Sequence, residues 1–170
     1  MRTLIVISGL PATGKSTVAR AVAAELSAPY VRIDTIENAF ARAGADAGPL
    51  GYQVGYAVAG DLLCQGFTVF AESVNPLAIT RSSWREVAER SGAECVEVEF
   101  ICSDPVEHER RASTRTADIP DVSPPTWADI RERDYEPWEG EHVVIDTAGR
   151  AVAECAAALL HRINRAATQR

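Results

Sequence analysis

Residues Gly9–Thr17, GLPATGKST, follow directly on the apolar run Leu4–Ser8, LIVIS. That run is aliphatic and β-branched without alternation, the pattern of a strand buried on both faces. Behind the loop, STVARAVAAELS (16–27) repeats Val18, Val22 and Leu26 at four-residue intervals and reads as a helix. A short loop with glycines at Gly9 and Gly14 joins the two. Glycine accepts backbone conformations that turn successive N–H groups into one concavity. The helix starting near Lys15 adds the positive end of its dipole to the same spot. The loop is built to hold an anion.

The residues Gly9, Leu10, Pro11, Ala12, Thr13, Gly14, Lys15 and Ser16 satisfy GxxxxGK[ST] at every fixed position, between a strand and a helix as the motif requires. The expected ligand is a nucleoside triphosphate, ATP. Lys15 reaches its β- and γ-phosphates, the Ser16 hydroxyl ligates Mg²⁺, and Thr17 hydrogen-bonds the α-phosphate.

Outward from this loop, short apolar runs alternate with helical segments, the pattern of a parallel sheet covered by helices. Strands are expected at YVRI (30–33), FTVFA (67–71), CVEVEFIC (95–102) and HVVID (142–146). Helices are expected at 34–44, about 52–64, from Asn75-Pro76 to Arg90, from Asp104-Pro105 to about Arg115, and about 151–167. Asn75 with Pro76 reads as an N-cap followed by proline at the first helical position. TADIPDVSPP (116–125), with three prolines, reads as a surface loop. Thr126 with Asp129 forms a capping box for a short helix WADIRERDY. No repeat or long linker divides the 170 residues, so one domain is expected.

The formal charge of −7 argues against a nucleic-acid groove, which needs clustered Lys and Arg. Four scattered cysteines without a CxxC pair read as free thiols, and three histidines lack ligand spacing. The apolar start is too short for a signal and no run approaches a membrane span; a cytoplasmic protein is expected.

The chain resembles the small P-loop kinases of the nucleoside-monophosphate-kinase-like group. GLPATGKST, VRIDTIENAF and the run Glu107-Arg111-Arg115 are similar to the ATP-binding kinases related to gluconate kinase, chloramphenicol phosphotransferase and the kinase domain of polynucleotide kinase. The resemblance implies a three-layer α/β fold with a five-stranded parallel sheet in the order 2-3-1-4-5. It implies an ATP-dependent kinase acting on a hydroxyl of a small molecule, with residues 116–125 as its lid. Asp34 matches the family's proton acceptor; the residues alone also allow it to cap the helix at 34–44. Arg111 matches the arginine that stacks on adenine, and Arg115 the one that touches phosphates. Glu72, ending the third strand, either holds Mg²⁺ or touches the acceptor. Thr147 belongs to the short loop beside the adenine. Tyr52 and Arg81 are candidate acceptor contacts, with glycines of GYQVGYAVAG giving the helix room to pass the acceptor pocket. Tyr56 is assigned to packing. The lid has no cation of its own, so Arg131 or Arg133 is expected to supply one.

Two other functions fit the same loop. A polynucleotide 5′-hydroxyl kinase would need few basic contacts but fits the net acidity poorly. A regulatory nucleotide-dependent ATPase would hydrolyse without an acceptor. Too few arginines lie between Asp34 and Phe67 to favour a nucleoside monophosphate.

Overall fold

Alternation of side chains along the first strand, β1 (Thr3–Ser8), accounts for its unbroken apolar sequence. Ile5 and Ile7 point to one face of the sheet and pack with Val18, Val22, Phe100 and Leu159. Leu4 and Val6 point to the other and pack with Ile33, Leu63, Trp84 and Ala88. A strand with core on both sides has no position at which a polar side chain is tolerated cheaply.

The computed structural model describes residues 2–117, 119 and 123–168. Around β1 lie β2 (Tyr30–Arg32), β3 (Val69–Glu72), β4 (Glu94–Ile101) and β5 (Val143–Asp146). All pairings are parallel, in the order β2-β3-β1-β4-β5. The helices α1 (Lys15–Glu25) and α7 (Val152–Thr168) cover one face. The other face is covered by α3 (Leu50–Cys64) and α4 (Ala78–Arg90), with α2 (Ile33–Arg42) packed beside α3. Helices α5 (Pro105–Thr114) and α6 (Trp127–Arg131) follow β4. The expected three-layer sheet and its strand order are therefore present.

Several local expectations hold. Asp104 accepts from the backbone N–H of Val106 and Glu107 with Pro105 opening α5, and Thr126 and Asp129 make the reciprocal capping box of α6. Gly51 and Gly55 give α3 its close approach: a Cβ at Gly51 would stand 2.6 Å from Glu37 Cγ, and one at Gly55 2.2 Å from Ile33 Cδ1.

Others are corrected. Asn75 is not a helix cap, because α4 begins at Ala78 behind an extended Leu77. Asn75 instead adopts φ 49°, in the left-handed region that asparagine tolerates. Its buried amide donates to Ser8 Oγ at 2.9 Å and accepts from Trp84 Nε1 at 3.1 Å, so one side chain ties β1 to α4. The third strand starts two residues late, since Phe67 is exposed beyond the sheet, and it runs through Glu72, which ends it as expected. The helix after the capping box stops at Arg131. Residues 118 and 120–122 of the expected lid lie outside the described residues, but Ile119 is buried, contrary to a wholly surface loop.

Candidate active site

The loop between β1 and α1 owes its shape to two glycines. At Gly9, φ is +131° and an added Cβ would lie 2.3 Å from the carbonyl oxygen of Phe100, so only glycine fits. Gly14, at φ +86°, is the N-cap of α1. Ala12 between them also has positive φ, at 64°. One side chain of the loop and two from other segments brace it. Thr13 Oγ1 donates to Leu10 O at 2.9 Å, Thr147 Oγ1 to Thr13 O at 2.7 Å, and His108 Nε2 to Pro11 O at 2.8 Å. His108 is buried and stands edge-on to Trp127, with ring centroids 5.0 Å apart.

This braced loop floors a cavity of about 450 Å³ whose charged lining is entirely cationic among the described residues: Lys15, Arg20, Arg111, Arg115 and Arg150. Ser16, Thr17 and Thr147 add hydroxyls. Arg111 is held by Glu107 at 2.7 Å and by Thr147, whose Oγ1 and carbonyl oxygen accept at 2.7 and 2.9 Å. Arg111 and Thr147, both expected beside an adenine, stand beside the loop and grip each other. A helix N-terminus, a glycine-shaped loop and five cations surround this cavity, a setting whose electrostatics favour a polyphosphate.

Behind Lys15 sits Glu72, almost wholly buried. It accepts a short hydrogen bond from Ser16 Oγ and one of 2.8 Å from Tyr30 Oη. Lys15 Nζ lies 3.9 Å from it and Arg32 Nε 3.6 Å. Burial pushes the Lys15 ammonium below its ordinary pKa, opposed first by Glu72 and then by Asp34. Desolvation, and then the neighbouring Glu72 carboxylate, raise the Tyr30 phenol far above its ordinary value, so it stays a neutral donor. A hydroxyl and a carboxylate oxygen in contact form an oxygen donor set suited to Mg²⁺, which takes few protein ligands and relies on phosphates and water. Among the described residues no group of three or more His, Cys, Asp or Glu could hold a metal alone.

Arg32 turns the corner from Glu72 to Asp34, whose Oδ2 lies 3.4 Å from Arg32 Nη2. The capping alternative for Asp34 fails, because α2 begins at Ile33 with Arg32 as its N-cap. Asp34 is inside the first helical turn with a half-exposed carboxylate. It faces a second cavity, of about 1010 Å³, together with Glu37, Tyr52, Tyr56 and Arg133. Arg115 lines both cavities. Tyr52 lines the cleft, its hydroxyl accepting from Asn75 N at 3.3 Å. Tyr56, assigned to packing, both packs on Trp84 and lines the cleft. Of the two candidate lid cations, Arg133 lines the cleft.

Arg81 does not reach it. The side chain is buried, and its nitrogens donate to the carbonyl oxygens of Asn75, Pro76, Glu136 and Pro137 at 2.6–3.0 Å. Its guanidinium carbon lies 4.4 Å from the Trp138 ring centroid. Carbonyls and an aromatic face use up the group that was expected to contact the acceptor. His108, Arg32, Tyr30 and Glu37 were not singled out from sequence; Arg32 and Tyr30 stood on an expected strand, with nothing local to show that Glu72 would lie beside them.

A family model described as an AAA domain matches residues 4–137, from β1 past α6. No curated protein matches the sequence. Among solved structures the chain is similar to a gluconokinase from Sinorhizobium meliloti, with 21% identity, TM-score 0.68, and coverage of 97% of this chain and 94% of the other. It is similar to the APS kinase of Mycobacterium tuberculosis in complex with AMPPNP and APS, with 20% identity, TM-score 0.70, and coverage of 96% and 98%. A sugar kinase from Janibacter sp. matches at 17% identity and TM-score 0.67, with coverage of 96% and 95%. With the glycine loop and four of the five strands inside one continuous match, the chain belongs to the AAA-domain family, and it has the fold of small P-loop kinases.

Proposed function

We propose that this protein is an ATP-dependent kinase that moves the γ-phosphoryl group to a hydroxyl of a small molecule. One observation carries the reading. The cationic cavity over the glycine loop and the cleft in front of Asp34 share a wall at Arg115, and the contact chain Ser16–Glu72–Arg32–Asp34 runs between them. Hydrolysis alone needs only the first cavity. A second cleft of about 1010 Å³ with a carboxylate in its lining serves an acceptor.

In this reading the amides of the Gly9–Ser16 loop and the N-terminus of α1 bind the phosphates, and Lys15 meets the β- and γ-oxygens. Arg111 and Thr147 flank the nucleotide. Ser16 and Glu72 offer oxygens to Mg²⁺, which supplies charge neutralisation at the phosphates when bound. Asp34 accepts the acceptor's hydroxyl proton while that oxygen forms its bond to the γ-phosphorus. The bond from phosphorus to the β–γ bridging oxygen breaks, and ADP leaves with the electron pair. Lys15 and Arg115 stabilise the spreading negative charge. The 116–125 segment closes over the reactants and keeps water away.

The test is acceptor-dependent ADP formation, with binding of a fluorescent ATP analogue measured in parallel. Asp34→Asn should lose transfer and keep binding. ATP hydrolysis at one rate with or without any acceptor, unchanged in Asp34→Asn, would mark a regulatory ATPase instead.

A further inference from the structure

Glu72 stands against both the hydroxyl and the lysine of the glycine loop, so whatever fixes Glu72 helps to fix them. The β2–β3 register sets Arg32 directly opposite Glu72 and Tyr30 opposite Phe70. Alternation along β2 therefore brings the side chains of Tyr30 and Arg32 to the face that carries Phe70 and Glu72. The Tyr30 ring stacks on Phe70, with centroids 6.1 Å apart and planes 12° from parallel. That contact leaves the phenol at the carboxylate two residues further along β3.

The two carboxylate oxygens face different neighbours. Oε2 accepts from Tyr30 Oη at 2.8 Å and has Arg32 Nε at 3.6 Å. Oε1 accepts from Ser16 Oγ and has Lys15 Nζ at 3.9 Å. The separation from Lys15 exceeds hydrogen-bond range, so the ammonium feels the charge of Glu72 without being bonded to it. Glu72 is 1% exposed, which gives solvent little access to replace a lost donor. A carboxylate deprived of its bond on Oε2 would turn towards the nearest remaining donor, the Lys15 ammonium. Lys15 would then be tied up by Glu72, and Oε1 would be drawn off the Ser16 hydroxyl.

Resting on the reading of the loop as a Mg·ATP site, we propose that Tyr30 is a positioning residue for that site. Its phenol pins Oε2 of Glu72, which holds Oε1 against Ser16 and keeps the carboxylate off Lys15. Tyr30 is not part of the lining of either cavity, so it acts through Glu72 and not by touching a ligand.

Tyr30→Phe removes one oxygen and keeps the ring on Phe70. Binding of a fluorescent ATP analogue to the full chain, titrated with Mg²⁺, reads the consequence without any turnover. The Mg²⁺ concentration giving half-maximal binding should rise by about tenfold, the scale of losing a group that orients a metal ligand. In a Glu72→Ala background, the same change should add less than about twofold, because the group that Tyr30 holds is gone. The Mg²⁺ midpoint of Tyr30→Phe decides alone if Glu72→Ala does not fold. A Tyr30→Phe protein with the wild-type Mg²⁺ dependence, whatever its stability, would make Tyr30 a packing residue and overturn the proposal. Equal losses in both backgrounds would overturn it too. Analogue binding by wild type that ignores Mg²⁺ would bring down the Mg·ATP site and the positioning role together. Acceptor-independent hydrolysis would defeat the kinase reading alone and leave the role of Tyr30 standing.

Discussion

The two cavities that meet at Arg115 are built by opposite means. The smaller is floored by one contiguous stretch, Gly9 to Thr17, shaped by two glycines and a helix start, with Arg111, Arg115 and Arg150 joining it from elsewhere. The larger draws side chains from α2, α3, the β3–α4 connection, the lid segment and Arg133. A main-chain site depends little on which side chains surround it. A side-chain site changes with every substitution on five separate segments. The first therefore specifies a ligand common to many proteins, and the second can specify one that is particular to this chain.

Lys15→Ala strikes the cation that the loop itself brings to the smaller site. It should cut turnover by about 10³-fold, the scale of removing a fixed transition-state donor. An effect smaller than tenfold in steady-state kinetics would show that the amides suffice without it. On the other side, Arg81→Ala should lower stability by about 3 kcal/mol, because a buried guanidinium serving four carbonyls leaves them without donors. Chemical denaturation reads this directly. An unchanged midpoint would mean that the wall formed by Pro76 and Pro137 holds without its arginine.

Asp34→Asn separates the halves functionally. Transfer should fall by about 10²-fold or more with little change in nucleotide affinity. A parallel loss of affinity would mean that Asp34 serves the loop rather than the acceptor. Thr147→Val removes the donor to Thr13 and one acceptor of Arg111, so KM for ATP should rise by about tenfold while the acceptor KM stays put.

The smallest effect concerns Glu37. A carboxyl whose folded pKa is raised stabilises the fold at low pH and loses that contribution as pH rises through the folded value. Glu37→Gln should therefore give a slightly higher Tm than wild type at pH 7. The gap should narrow as pH falls towards the ordinary carboxylate value of 4.5. A gap that widened on acidification would reverse the assigned sign.

The same division explains what could be read from the chain before its structure. The loop and its two flanking elements follow from local signals, glycine spacing and an unbroken aliphatic run, whereas the sheet order came with the resemblance to small P-loop kinases. Arg111 and Thr147 were reached through their resemblance to related kinases, and both do stand at the loop. Arg81 went wrong because an arginine near a cleft looks the same whether it faces the ligand or four carbonyls. Those carbonyls lie partly in residues 136–137, about 55 positions away. Asn75 went wrong because Asn-Pro reads as a cap, while its partners Ser8 and Trp84 come from other elements. His108 carried no motif; only the folded chain brings it to Pro11.

The most direct measurement is a crystal structure of the protein with Mg²⁺ and a non-hydrolysable ATP analogue. The phosphates should lie against the amides of Gly14, Lys15 and Ser16, with the metal between Ser16 and the γ-phosphate and the terminal phosphorus facing the Asp34 cleft. An analogue bound outside this loop, or a γ-phosphate walled off from Asp34, would contradict the account.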